Sequence, residues 1–218
     1  MNRIVLVIVL MTATFLVAET KLAMAGVIVP ISATTDMGST LSNLNNTING
    51  NGLNAFPSLT ATHGLNLGNS WSSAVGTTSG KIDFNLGGAF VVDGLSFWNA
   101  SSFTGVIGIN GVAIQSSMDG LNFLTIAGAA TSFSRVSLTV PQAFFGQRRG
   151  PQLVSFAPVT ANFIRFAVNS NHGSPLTTGF AEVAFSGAPV PEPTSLAIGL
   201  VMVGVAWRTR RKSNANLI

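Results

Sequence analysis

The side chains able to do chemistry are few and widely spaced. The chain of 218 residues holds seven acids, two histidines (His63 and His172) and no cysteine. Thiol catalysis, thiolate metal sites and haem attachment are therefore excluded. No Gly-x-Ser-x-Gly elbow, His-Glu-x-x-His pair or phosphate-cradling loop occurs. Hydrolysis by paired carboxylates is formally open. Asp83, Asp93 and Asp119, however, sit in strand or turn contexts that account for them, so no enzyme is expected.

What remains suits binding. Arg148 and Arg149 lie in the stretch 144–151, whose turn residues read as an exposed loop. Paired guanidinium forks suit carboxylates such as the uronic acids of an anionic polysaccharide, and a solvated loop is the plainer alternative. His172-Gly173 is expected in a loop near a ligand end, whereas His63 has no assignable role. Trp71 and Trp98 are core or rim aromatics, one of which could instead be a platform for stacking a sugar. The candidate ligand contacts are thus Trp98, Phe103, Arg148, Arg149 and His172, on loops near 99–108, 142–151 and 169–178. Arg165 lies between Ile164 and Phe166, faces the other side of its strand, and is expected to pair with Asp83 or Asp93. Asp119-Gly120 reads as a turn.

The formal charge of +4 invites a nucleic-acid partner until the charges are located. Arg3 and Lys21 against Glu19 leave one positive charge in residues 1–25, and Arg208, Arg210, Arg211 and Lys212 against Glu192 leave three at the other end. Between them, Lys81, Arg135, Arg148, Arg149 and Arg165 balance Asp36, Asp83, Asp93, Asp119 and Glu182. A neutral body has no footprint for a polyphosphate backbone, so nucleic acid is not an expected partner. Its solubility must come from amides and hydroxyls, which also suit hydrogen bonding to sugars.

These side chains must be positioned by strands. Residues 81–86 alternate apolar and polar before Gly87-Gly88, and further short strands are expected at 91–98, 112–117, 123–127, 135–140, 153–157, 163–168 and 181–185. A first strand or arm is expected around 27–31, within an unassigned stretch 26–42. No segment of the body sustains helical spacing over three turns, and many short strands mean an all-β sandwich or barrel.

The two ends follow export rules. Arg3 precedes an apolar run over 4–18, and Ala23-Met24-Ala25 supplies a small-x-small site, so residues 1–25 read as a signal peptide cut after Ala25 by signal peptidase. An uncleaved N-terminal anchor is the alternative. At the other end Pro191-Glu192-Pro193 precedes a short apolar stretch, 196–207, and then the basic cluster. The stretch is shorter than the span of about 20 residues a bilayer asks for, and the basic cluster should stay cytoplasmic. These three parts in order resemble the PEP-CTERM sorting signal over 189–212, leaving a tail at 213–218. The resemblance implies a transient membrane helix and processing by an exosortase, with Pro191, Glu192, Pro193, Arg208, Arg210 and Arg211 as the sorting residues. It also implies a surface or matrix destination beside exopolysaccharide. A lasting tail anchor is the alternative.

Six fragments of the body carry a second resemblance. They are Asn49-Gly50 within 46–52, Trp71 within 69–73, Leu86-Gly87, Ser117-x-Asp119-Gly120 with Phe123, Ile164-Arg165, and Ala181-Glu182-Val183 closing on Phe185 and Gly187. In order, they resemble the discoidin-type, coagulation-factor type C domains and their carbohydrate-binding relatives over 43–188. That implies a jelly-roll β-sandwich (galactose-binding-like), bracketed by the signal helix and the short transmembrane helix, with ligands taken by loops at one end. It also implies a structural calcium on Glu182 and the early turn. Here Asn49 stands where the family has an aspartate, so a site built from Asn49, Asn51 and Glu182 should be weak. An ordinary edge-strand glutamate is the alternative. The expected function is a non-catalytic exported protein that binds glycan, or else a matrix component making protein contacts only.

Overall fold

A computed structural model of the chain describes residues 26–40, 42–64, 67–100, 105–136 and 148–191. The expected helices at the two ends lie outside these residues. Among the described residues no helix is long and apolar enough to cross a membrane.

Among the described residues ten strands run in chain order: β1 (Gly26–Ile28), β2 (Ser32–Thr35), β3 (His63–Gly64), β4 (Trp71–Ser72), β5 (Gly80–Asn99), β6 (Val112–Ser117), β7 (Leu124–Thr125), β8 (Arg148–Arg149), β9 (Gln152–Val168) and β10 (Gly179–Pro189). Single turns of 3-10 helix occupy Leu44–Thr47 and Leu67–Asn69. The main sheet is ordered β1-β10-β5-β9-β6-β7, with β2 on β5 and β4 on β10. A separate pair joins β3 to β8.

Two long strands turn this one sheet into a sandwich. The expected strands 81–86 and 91–98 are one strand, β5, and the expected 153–157 and 163–168 are one strand, β9. Their register jumps from Asn85↔Phe163 to Phe90↔Ala161, so four residues of β5 oppose one of β9. Gly87, at φ 83, lets the chain bend there instead of ending. One layer then holds β2, β5 to Asn85, β9 from Phe163, β6 and β7. The other holds β1, β10, β5 from Phe90 and the first part of β9. The architecture is the jelly-roll β-sandwich the sequence implied.

The core lies between the layers and sets a cluster of phenylalanines among aliphatic side chains. Phe84 of the first layer meets Phe180 and Phe185 of the second edge-on, at 6.4 and 5.6 Å between ring centroids, and Phe166 of its own layer at 5.0 Å. Phe97 stacks on Phe133 at 3.9 Å and Phe180 at 5.4 Å. Each such ring contributes about 1.5–3 kcal/mol by burial, with about 0.5–1.5 kcal/mol more from each favourable ring pair.

Other expectations shift at their edges. β6 matches 112–117, whereas 123–127 shrinks to Leu124–Thr125. Arg135 and Val136 are not in a strand, and 137–140 lies outside the described residues. The stretch 26–35 contributes two strands, β1 on β10 and β2 on β5.

Both layers end at the same two poles. At one pole β5 bends, β1 begins and β10 finishes. At the other, loops 73–79, 105–111 and 169–178 come together through the bridges Thr77↔Thr177, Gly108↔Gly179 and Ile109↔Asn171. We refer to these as the bend pole and the loop pole.

Candidate functional site

Glu182 sits mid-strand in β10, opposite Trp98 of β5. Alternation predicts a solvent-facing carboxylate there, but segment 49–64 folds across that face. Trp98 Nε1–H donates to the Ala61 carbonyl at 2.9 Å, and Ser96 Oγ to that of Leu59 at 2.6 Å. Leu53, Leu59 and Val27 pack on Trp98, Ala181 and Ala184 as a second, smaller apolar cluster. Ala181 belongs to this cluster and not to the main core, because a bulge between Phe180 and Glu182 turns it outward. At Glu182 itself β10 pairs only with β5, since β1 joins it at 185–187 and β4 at 179–180.

Beneath that flap Glu182 is 1% exposed. Its Oε1 accepts the Gly50 amide N–H at 3.1 Å, and its Oε2 is buried with no partner. Burial pushes its pKa up to about 8, with the Gly50 bond opposing the rise. The turn it meets is self-braced, Asn49 Oδ1 accepting the Asn51 amide at 2.8 Å. His63 lies buried beside it, Nε2 at 3.0 Å from the Asn51 carbonyl and Nδ1 at 2.6 Å from that of Gly64. Burial lowers the His63 pKa against the pull of those carbonyls, and Arg148 adds to the lowering.

Arg148 and Arg149 hold this flap down. Expected in an exposed loop, they form β8 and pair with Gly64 and His63 of β3. Arg148 Nε donates to the carbonyl and hydroxyl of Thr62, at 3.1 Å each, and an Nη–H group donates to the carbonyls of Thr62 and Gly52. Its fork is thus spent on flap backbone, which removes it as a free claw for uronic acids.

The residues expected to hold calcium are brought together from opposite ends of the body. The donor set is one carboxylate with amide and backbone oxygens. That chemistry fits a hard cation, and the low charge count fits weak binding. An unpartnered buried carboxylate oxygen is the specific feature that fits. Among the described residues no group of three or more His, Cys, Asp or Glu side chains is placed to hold a metal.

The loop pole is organised by amides. Asn171 Nδ2 donates to the carbonyls of Ser174 and Thr177 and to Thr178 Oγ1 at 2.9–3.1 Å, while its Oδ1 accepts from Gly173 N–H at 2.9 Å. Asn99 Nδ2 donates to the carbonyls of Ile109 and Ser134, and its Oδ1 accepts from Ile109 N–H. Half-buried His172 lies on this pole, its Nε2 3.0 Å from the Phe133 carbonyl. Val75 and Leu176 stand exposed nearby, and Gly76 N–H bonds the Leu176 carbonyl. Sequence reading passed over Asn99 and Asn171, because a single amide leaves no periodic signal.

Of the remaining expectations, Trp98 is corrected: with 2% exposure under the flap it has no free face for a sugar. It shares a small crevice with Arg149, His63 and Asn99, and His172 is not among the residues lining it. Phe103 lies outside the described residues, as do Glu192, Pro193, Arg208, Arg210 and Arg211, whereas Pro191 is described and exposed. Arg165 pairs with Asp83 through two bonds of 2.6 and 2.8 Å and lies over the Phe123 ring at 3.6 Å. Asp119 is consumed by its own turn. Bonds from Asn122 backbone and side chain, Leu121 N–H and Ser117 Oγ hold its carboxyl well below the usual range.

Comparison with known proteins gives two family matches, an F5/8 type C domain over residues 33–183 and a PEP-CTERM protein-sorting motif over 189–212. No curated protein sequence matches. Among solved structures, the chain is similar to CpGH89CBM32-5 from Clostridium perfringens in complex with GalNAc-β-1,3-galactose (TM-score 0.53, 14% identity, 73% of this chain and 99% of that one). It is similar to a truncated AlyQ with CBM32 and alginate lyase domains (0.51, 19%, 79%), of whose length it covers 36%. It is also similar to the family 32 CBM of Clostridium perfringens NanJ in complex with galactose (0.50, 14%, 75% and 99%). At these identities the likeness is one of fold.

Proposed function

The chain belongs to the F5/8 type C domain family, and from that membership and its sorting motif we propose an exported, exosortase-processed, non-catalytic protein that binds carbohydrate. It acts at the outer surface or in the extracellular matrix, with exopolysaccharide as its ligand. The observation that carries this reading is the loop pole. Three loops converge there, braced by Asn99 and Asn171, and present hydroxyls and amides beside the apolar Val75 and Leu176. Pyranose rings ask for such a mixture, and bracing the loops in advance lowers the entropic cost of binding. Sugar-bound CBM32 modules share the fold and support the ligand class. His172 is the retained candidate contact.

The test is a polysaccharide array with the mature protein recovered from its host. Saturable binding that His172→Ala weakens about tenfold or more, with the melting temperature unchanged, is expected. No saturable binding to any glycan would sink this reading and leave a matrix protein that makes protein contacts only. Intact mass checks the sorting half: loss of residues 1–25 and of everything beyond about Pro191 is expected.

A weak structural calcium belongs to the same reading. Glu182 Oε2 would supply the charge, and the oxygens of Asn49 and Asn51 the remaining protein ligands. Bound calcium would fasten the flap to β10. A melting temperature unchanged between millimolar calcium and chelator would remove the site.

A further inference from the structure

Of the nine large apolar side chains exposed among the described residues, five sit at the bend pole: Ile31 (69% exposed), Val91 (37%), Met118 (50%), Leu121 (82%) and Leu124 (76%). The register places them there. Ile31 N–H bonds the Asn85 carbonyl and Val91 follows the bend. β6 reaches this pole at Ser117↔Phe163, so its following turn, which carries Met118 and Leu121, projects from it.

Both routes out of the described domain leave from the same pole. β1 runs antiparallel to β10 with Gly26 opposite Gly187, and the last bond of the sheet joins Val190 N–H to the Ala89 carbonyl at 2.9 Å. The sorting motif therefore begins inside β10, with no slack before it. Leu196, the start of the apolar stretch, lies six residue steps beyond Val190. Fully extended, they span about 20 Å, while the headgroup layer on one side of a bilayer takes up roughly 5–8 Å. The bend pole is thus tethered close to the lipid surface whenever that stretch is inserted.

Charge at the pole is sparse, although the carboxylate of Asp119 stands exposed between Met118 and Leu121. Residues 26–35, 84–92 and 186–191 carry no ionisable side chain. Asp93, next to the bend, accepts from Ser186 Oγ at 2.5 Å, and Asp119 is turned onto its own loop. Glycine makes the apolar rim possible, since a Cβ on Gly87 would lie 2.9 Å from Ile31 Cγ2.

We propose that the bend pole is a lipid-contacting surface, with Ile31, Val91, Met118, Leu121 and Leu124 resting on the bilayer that holds the sorting segment. The proposal rests on the sorting reading above. Its consequence is orientation: while the protein is tethered, the loop pole with His172 faces away from the membrane and is open to glycan before processing releases the chain.

The absence of cysteine makes a direct test clean. Single-cysteine precursors, Ile31→Cys, Leu121→Cys and Leu176→Cys, are labelled with an environment-sensitive fluorophore and reconstituted into phosphatidylcholine vesicles with or without spin-labelled lipid. Quenching at 31 and 121 should exceed that at 176 several-fold. If the precursor floats with the vesicles but 31 and 121 are quenched no more than 176, this proposal is overturned and the sorting reading stands. A precursor that does not float with the vesicles overturns both.

Discussion

Stability in the absence of calcium should fall as pH rises through the neutral range, and Glu182 should be the cause. Its pKa is near 8 in the fold against 4.5 for the free group. The folded state therefore holds a proton that the unfolded state has released across that window. Stability is full below about pH 4.5 and is lost as pH rises towards 8. At about 1.36 kcal/mol per pH unit, the loss from pH 5 to pH 8 is about 3–4 kcal/mol. That is a large share of a typical total of about 5–15 kcal/mol, and it corresponds to a drop in melting temperature of roughly 10 °C. His63 titrates nearby with the opposite sign. Its lowered pKa means the unfolded state takes up the proton first, so its contribution is lost as pH falls below about 6.5. Subtracting the profile of Glu182→Gln cancels the His63 part, because the neutral amide keeps an oxygen for Gly50 N–H and has nothing to ionise. Urea unfolding in chelator, run at half-unit steps from pH 5 to 8, gives the difference directly. A variant profile with the same alkaline slope as the parent would refute the assignment. Millimolar calcium, which requires the ionised carboxylate, should flatten the parent's slope and leave the variant unmoved.

Three further outcomes follow from particular contacts. Arg165→Lys keeps the charge but loses the two-bond fork on Asp83 and the stack over Phe123, and should cost about 1–2 kcal/mol in urea unfolding; a neutral result would make that pair ornamental. Gly187→Ala places a Cβ 2.1 Å from the Val91 carbonyl oxygen at the bulge joining β10 to β5, so the chain should lose about 3 kcal/mol or more, or fail to accumulate. Trp98→Phe leaves the Ala61 carbonyl without its donor and should destabilise by about 1–3 kcal/mol while leaving glycan binding intact; unchanged stability with lost binding would restore Trp98 as a ligand contact.

Short-range pattern carried the strand faces well, because one buried face imposes a period of two wherever the other face is wet. It gave β6 residue for residue, and it put Arg165 opposite a carboxylate because an arginine between Ile164 and Phe166 has only one face left to it. It failed where a third layer covers the wet face. Nothing within five residues of Trp98 or Glu182 tells that 49–64 will lie over them, since the flap is Asn-, Gly- and Thr-rich and many of its anchors are backbone groups, among them carbonyls taken by Trp98, Ser96 and Arg148 and the Gly50 N–H that bonds Glu182. The same blindness misread Gly87-Gly88. A glycine pair ends a strand if the chain must reverse, but bends it if hydrogen bonding resumes on the same neighbour, and that choice is made by β9, about 75 residues away. The bend is what turns one sheet into two layers and gathers both chain exits at one pole. The feature that sets the two-layer architecture, and with it the proposed orientation on a membrane, was therefore written in the sequence only as a pair of glycines.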